Sequence, residues 1–151
     1  MKLAEALIER ADIKNKIEML RMRMINNAKV QEGTKPNEEP TSLLKELDDK
    51  LERMEYLIKH INKTNEQAKA PNGKTISEMI AEKDILAKKL SILGSYIDSG
   101  SATTTRLTHT EIKILSAFSI ADMQKQVDKL SKQLRELDTK IQELNWLTDL
   151  I

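Results

Sequence analysis

The chain has 151 residues, 39% hydrophobic and 32% charged, with a formal net charge of +1 at pH 7 and its signs interleaved. It has no cysteine, which excludes disulfide scaffolds, thiolate metal sites and a cysteine nucleophile. Its aromatic residues are Tyr56, Tyr96, Phe118 and Trp146, and with four glycines and three prolines it is short of what a β-sandwich or a doubly wound sheet needs. Mixed, near-neutral charge argues against a nucleic-acid or anionic-lipid binder. No apolar run reaches the length of a transmembrane span or a signal peptide, so the expectation is a single cytoplasmic helical domain over 1–151.

The first helix is predicted over 2–29. Its seam is Leu3, Ala6, Ile13, Ile17, Leu20 and Met24, broadened by Leu7, Ile8 and Met22, with Arg10 in a slot where the pattern calls for a hydrophobe. Gly33, Pro36 and Pro40 then mark an exposed loop. The second helix is predicted over 41–69, capped by Thr41 or Ser42. Its seam reads Leu44, Leu47, Leu51, Met54, Ile58, Ile61, Asn65 and Ala68, in steps of three and four. Pro71 and Asn72-Gly73 make a compact turn, short enough to set the flanking helices antiparallel.

Thr75 and Glu78 form a capping-box pattern for a third helix over 75–97. Its seam is Ile76, Met79, Lys83, Leu86, Leu90, Leu93 and Ile97, widened by Ile80, Ile85 and Ile92. From 101 to 118 the pattern changes. Thr103 to Thr105 are β-branched, and Ile112, Ile114, Phe118 and Ile120 alternate with His109, Glu111 and Lys113. A period of two predicts a short β-hairpin or extended arm, the alternative being that Glu111 to Ala117 opens the next helix. The fourth helix is predicted over 119–149, with Ser119 and Asp122 as its capping pair. Its seam, in the same steps of three and four, is Ile120, Met123, Val127, Leu130, Leu134, Leu137, Ile141 and Leu144.

The expected fold is mainly α: an antiparallel bundle of four long helices with heptad-like seams, plus the short β-hairpin or extended arm between helices 3 and 4. Leu7, Ile8, Leu43, Leu57, Ile85 and Ile92 lie beside their seams, and a second apolar face predicts self-association, most simply as a homodimer.

The stretches Leu3 to Asp12 (LAEALIERAD), Asn27 to Gly33 (NAKVQEG), Ile61 to Asn65 (INKTN), Glu111 to Lys113 (EIK) and Leu137 to Leu147 (LDTKIQELNWL) carry a resemblance nearly from end to end. The chain resembles a family of small, largely uncharacterised bacterial helical proteins, some of them labelled septicolysin. The resemblance implies no established activity; the label itself would imply a haemolysin. A lysin should have a secretion signal and a long insertable hairpin, and neither pattern occurs in this sequence.

Stacked antiparallel, the helices would bring Arg10, Asn65 and Lys83 near one level, with Asp138 and Glu143 as candidate carboxylate partners for the two cations. With Asn62 these residues (Arg10, Asn62, Asn65, Lys83, Glu143) are the candidate set for a small polar ligand. The favoured reading of the layer is structural, a register-fixing set or cations whose heads reach water. His60 and His109 lack the paired Glu-x-x-His element of a helical metal site, so neither metal nor cofactor is expected. There is no phosphate-binding glycine loop and no local Ser/His/Asp set, so no catalytic residue is assigned. Trp146, Met22 and Ile92 are the candidate interface residues. The sequence thus points to a non-enzymatic, self-associating interaction or structural module with an unidentified protein partner. A polar-ligand binder or enzyme and a membrane-active protein are the alternatives.

Overall fold

Two of the helix starts show how local chemistry satisfies free amides. The computed structural model describes residues 1–102, 109–110 and 112–151. Its helices are α1 (Leu3–Asn26), α2 (Pro40–Gln67), α3 (Ile76–Ser101) and α4 (Ile120–Leu147). The Glu5 carboxylate accepts the Lys2 amide at 2.7 Å at the start of α1. Ser119 Oγ accepts the Asp122 amide at 3.3 Å at the start of α4, the cap expected there. Helix α2 departs from the expected cap at Thr41 or Ser42: Glu39 is its N-cap and Pro40 its first residue. Proline suits that position because its φ is preset and it has no amide proton to leave unpaired.

Between α2 and α3 the chain reverses in a hydrogen-bonded turn. Ala70 donates to the Lys74 carbonyl at 2.8 Å, Gly73 to the Ala70 carbonyl at 2.9 Å, and Lys74 to Asn72 Oδ1 at 3.1 Å. Gly73 has φ +82, in the left-handed region, so a side chain there would be strained.

No strand occurs among the described residues; isolated bridges pair Lys2 with Asp149 and Lys69 with Thr75. The expected β-hairpin between helices 3 and 4 is therefore not seen, and its residues 103–108 and 111 lie outside the described ones. In the part that is described, Ile112, Ile114 and Leu115 are exposed and 112–116 is neither helix nor strand. Alternation alone does not make a strand when no second strand meets its backbone donors and acceptors. Only Phe118 turns inward, stacking on Tyr96 with ring centroids 4.1 Å apart. Helix α3 runs on past its expected end at 97 to Ser101.

The chain divides into two compact units, Met1–Ile76 with Glu143–Ile151, and Ser77–Gln142. In the first, α1 packs on α2. Its core is Leu3, Ala4, Ala6, Ile13 and Leu20 from α1, with Leu43, Leu57 and Ile61 from α2. Arg53 of α2 donates two hydrogen bonds to Glu9 of α1, at 2.7 and 2.8 Å. The tail after α4 is tied to the same unit: Leu3 donates to the Thr148 carbonyl at 2.9 Å, Leu150 to that of Met1 at 2.9 Å, and Ile151 to Thr64 Oγ1 at 3.0 Å. In the second unit Met79, Ile97 and Ile141 are buried. Leu86, Leu90 and Leu93 of α3 and Met123, Val127, Leu130, Leu134 and Leu137 of α4 are half-buried.

Candidate functional site

The feature with functional content lies on α2. Three columns of side chains, each repeating every seventh residue, run along this helix. Leu47, Met54 and Ile61 form the middle one. On one side lie Leu43, Lys50, Leu57 and Thr64; on the other lie Leu44, Leu51, Ile58 and Asn65. The sequence favours the second flank as the inward seam because it is the more apolar. The structure turns the first flank inward instead. Leu43, Leu57 and Thr64 are buried and Leu47 and Met54 half-buried, while Leu44, Leu51 and Ile58 remain 51%, 46% and 42% exposed.

The polar members of the inward column have partners that make burial tolerable. Thr64 Oγ1 donates to the His60 carbonyl at 2.8 Å and accepts the Ile151 amide at 3.0 Å. Lys50 Nζ stands 3.4 Å from Glu46, whose carboxylate also receives Arg23 at 3.1 Å. A satisfied hydroxyl costs little to bury, whereas an unsatisfied one costs about 1–3 kcal/mol. The partner of Thr64 in the tail is remote from α2, and a seven-residue pattern cannot register it.

Helix α3 repeats the arrangement. Its seam residues Met79 and Ile97 are buried, while Ile85 and Ile92, seven apart, are 68% and 60% exposed. Lys88 and Lys89 lie between them, and with Leu93 these side chains border a shallow groove of about 260 Å³.

The candidate ligand residues are less concentrated. Arg10 on α1 and Asn65 on α2 are half-buried, and Asn62 and Glu143 are exposed. Lys83 is half-buried in the second unit and is paired with Asp138 at 3.1 Å, one of its expected partners. That pair meets the charge of Lys83, a member of the candidate polar-ligand set. The side chain of Asn145, beside Glu143, is buried, and sequence reasoning gave it no role of its own. The candidate interface residues Trp146, Met22 and Ile92 all stand exposed.

A polar chain crosses the surface of the first unit. The Arg53 guanidinium holds Glu9 below the usual carboxylate range, mainly through their hydrogen bonds, and is itself raised in return. It lies 5.0 Å from the Tyr56 ring centroid, and the Tyr56 ring lies tilted against His60 with centroids 4.0 Å apart, while His60 Nδ1 meets a backbone oxygen of Ile151. Among the described residues no three His, Asp or Glu side chains are grouped to hold a metal ion.

By fold and surface this is a mainly helical protein whose helices turn apolar columns outward. Among the described residues no helix is long and apolar enough to cross a membrane. The chain belongs to the family described as "Family of unknown function (DUF6847)", which matches residues 10–150. It is similar to a functionally unknown conserved protein from Corynebacterium diphtheriae with a crystal structure. The two share 33% identity at a TM-score of 0.90, over 100% of this chain and 99% of that one. No curated protein matches. These relatives agree with the resemblance to uncharacterised bacterial helical proteins, and none of them carries the septicolysin label.

Proposed function

We propose that this protein is a self-associating helical module that acts through protein–protein contacts, with a homodimer as its simplest assembly. The observation that supports this reading is the outward apolar column Leu44, Leu51 and Ile58 on α2. A helix packed only within its own chain has no reason to present its more apolar flank to water. Covering a half-exposed Leu or Ile contributes about 1 kcal/mol, half the value for burying it fully. Three such residues, with Ile85 and Ile92 of α3 and the exposed Trp146, offer a stabilisation comparable to the several kcal/mol that association costs in lost freedom.

Sedimentation velocity across a dilution series tests the reading. The expected result is a species of twice the 17.3 kDa chain mass that dissociates on dilution. A chain that stays at 17.3 kDa at every concentration would refute it.

A further inference from the structure

The two exposed columns differ in charge, and that difference selects a partner. On α2, Asp48 lies between Leu44 and Leu51 on the same face, and Glu55 lies between Leu51 and Ile58; all five side chains are exposed. On α3, Lys88 and Lys89 lie between Ile85 and Ile92, and all four are exposed. Asp48, Lys88 and Lys89 have no ion-pair partner among the described residues, while Glu55 is paired with Lys59 one turn along. Both columns repeat every seventh residue, about 10.5 Å along the helix axis. Ile85 and Ile92 therefore match either Leu44 and Leu51 or Leu51 and Ile58, with the lysines opposite Asp48 or Glu55.

We infer that the occupant of the α2 column is the Ile85–Ile92 face of α3 from a second copy of this chain. This rests on the self-association reading and goes beyond it by naming the two surfaces that meet. Pairing α2 with α2 of the other copy would bring the Asp48 and Glu55 carboxylates together across the contact. Pairing α3 with α3 would do the same for four ammonium groups. Like charges juxtaposed in a contact oppose it, and opposite charges set its register. The mixed pairing places apolar on apolar and sets Asp48 and Glu55 against Lys88 and Lys89.

The test is a charge exchange read by sedimentation velocity. Lys88→Glu with Lys89→Glu, and separately Asp48→Lys with Glu55→Lys, alter exposed helical positions only, and circular dichroism checks that helix content is kept. Each pair of substitutions is expected to raise the dimer dissociation constant by about tenfold or more, which is about 1.4 kcal/mol per decade. The chain carrying all four substitutions is expected to regain the affinity of the parent. Four outcomes are distinct. Loss in each pair with recovery in the combination supports the mixed pairing. Loss without recovery overturns it, and so does a dimer indifferent to both pairs, although self-association stands in both cases. A parent chain that never dimerises refutes the self-association reading and this inference with it.

Discussion

The two units bury their helices to different depths, and an unbroken apolar seam does not go with the deeper burial. In the first unit α1 follows a loose pattern interrupted by Arg10, yet Leu3 and Leu20 are fully buried, as is Leu57 on α2. Cross-helix pairs from Arg53 to Glu9 and from Arg23 to Glu46 flank that core. In the second unit α4 has a seam of apolar residues without a polar break, yet from Met123 to Leu137 every seam residue is only half-buried. Burial is deepest toward the unit's ends, at Met79, Ile97 and Ile141. A strict seven-residue repeat is a narrow stripe suited to packing among several helices. The small residues Ala4 and Ala6 beside Leu3 let α1 pack closely, so a stripe with a polar break is better covered. Continuity of a seam thus measures how well it suits a partner and says little about whether the chain itself supplies one.

The largest effect that would break this comparison is a matched pair of truncations. Leu57→Ala empties a site that is 0% exposed and should cost about 3 kcal/mol, within the range for buried leucines. Leu130→Ala, in the half-buried α4 seam, should cost about 1 kcal/mol at dilutions where the protein is monomeric. Urea unfolding followed by circular dichroism measures both, and separate transitions for the two units would let each loss be assigned. Equal losses at equal dilution would mean that the units are covered alike. At higher concentration the cost of Leu130→Ala should grow if a second copy covers the seam, and that of Leu57→Ala should not.

A smaller effect sharpens the picture of the second unit at the point where α3 ends. A Cβ built at Gly100 would stand 2.6 Å from Phe118 Cζ and 2.7 Å from its Cε1. Gly100→Ala therefore forces the ring off its stack with Tyr96. Overpacking of this kind costs about 1–3 kcal/mol, against a helix-propensity gain of at most about 1 kcal/mol. The expected net is a destabilisation of about 1 kcal/mol with weakened near-ultraviolet dichroism from the Tyr96–Phe118 pair. A higher melting temperature with unchanged dichroism would show that the ring is not held against Gly100.

How much of this was legible in the sequence follows from how local each signal is. The four helices, the turn at Gly73 and the Ser119 cap rest on residues within a few positions of one another, and the structure contains them. The Lys83–Asp138 pair was legible too, because a cation in an apolar seam needs a carboxylate at matching height. The inward face of α2 was not. Composition favoured Leu44, Leu51 and Ile58, and the inward Thr64 is satisfied by a hydrogen bond from Ile151, 87 positions away, which no local pattern shows. The hairpin expectation failed in its described part for a related reason: alternation at Ile112, Ile114 and Phe118 specifies a face, while a strand also needs a neighbour. For the candidate ligand set, the residue types were legible and the directions in which their side chains point were not.

The smallest expected effect concerns the Glu9–Arg53 pair, which belongs to the better-packed unit and titrates. The Glu9 carboxyl is held below its ordinary value of 4.5 in the folded chain, chiefly by the Arg53 hydrogen bonds. A group whose folded pKa is depressed contributes stability that is present above its unfolded pKa and is lost as pH falls through the folded one. The first unit should therefore lose part of its stability as pH drops below about 4.5, the ordinary carboxyl value. Arg53→Met keeps the side-chain bulk and removes the charge, so it should flatten that decline while lowering stability slightly at neutral pH. Both side chains are about one-third exposed, at 39% and 33%, so solvent screens the pair and the neutral-pH loss should stay below about 1 kcal/mol. Thermal melts of parent and variant across the acid range measure the difference. Parallel pH profiles would assign the acid loss to other carboxylates. Glu38, depressed by its hydrogen bonds to Arg23, would be the next to substitute, since it acts in the same direction within the same unit.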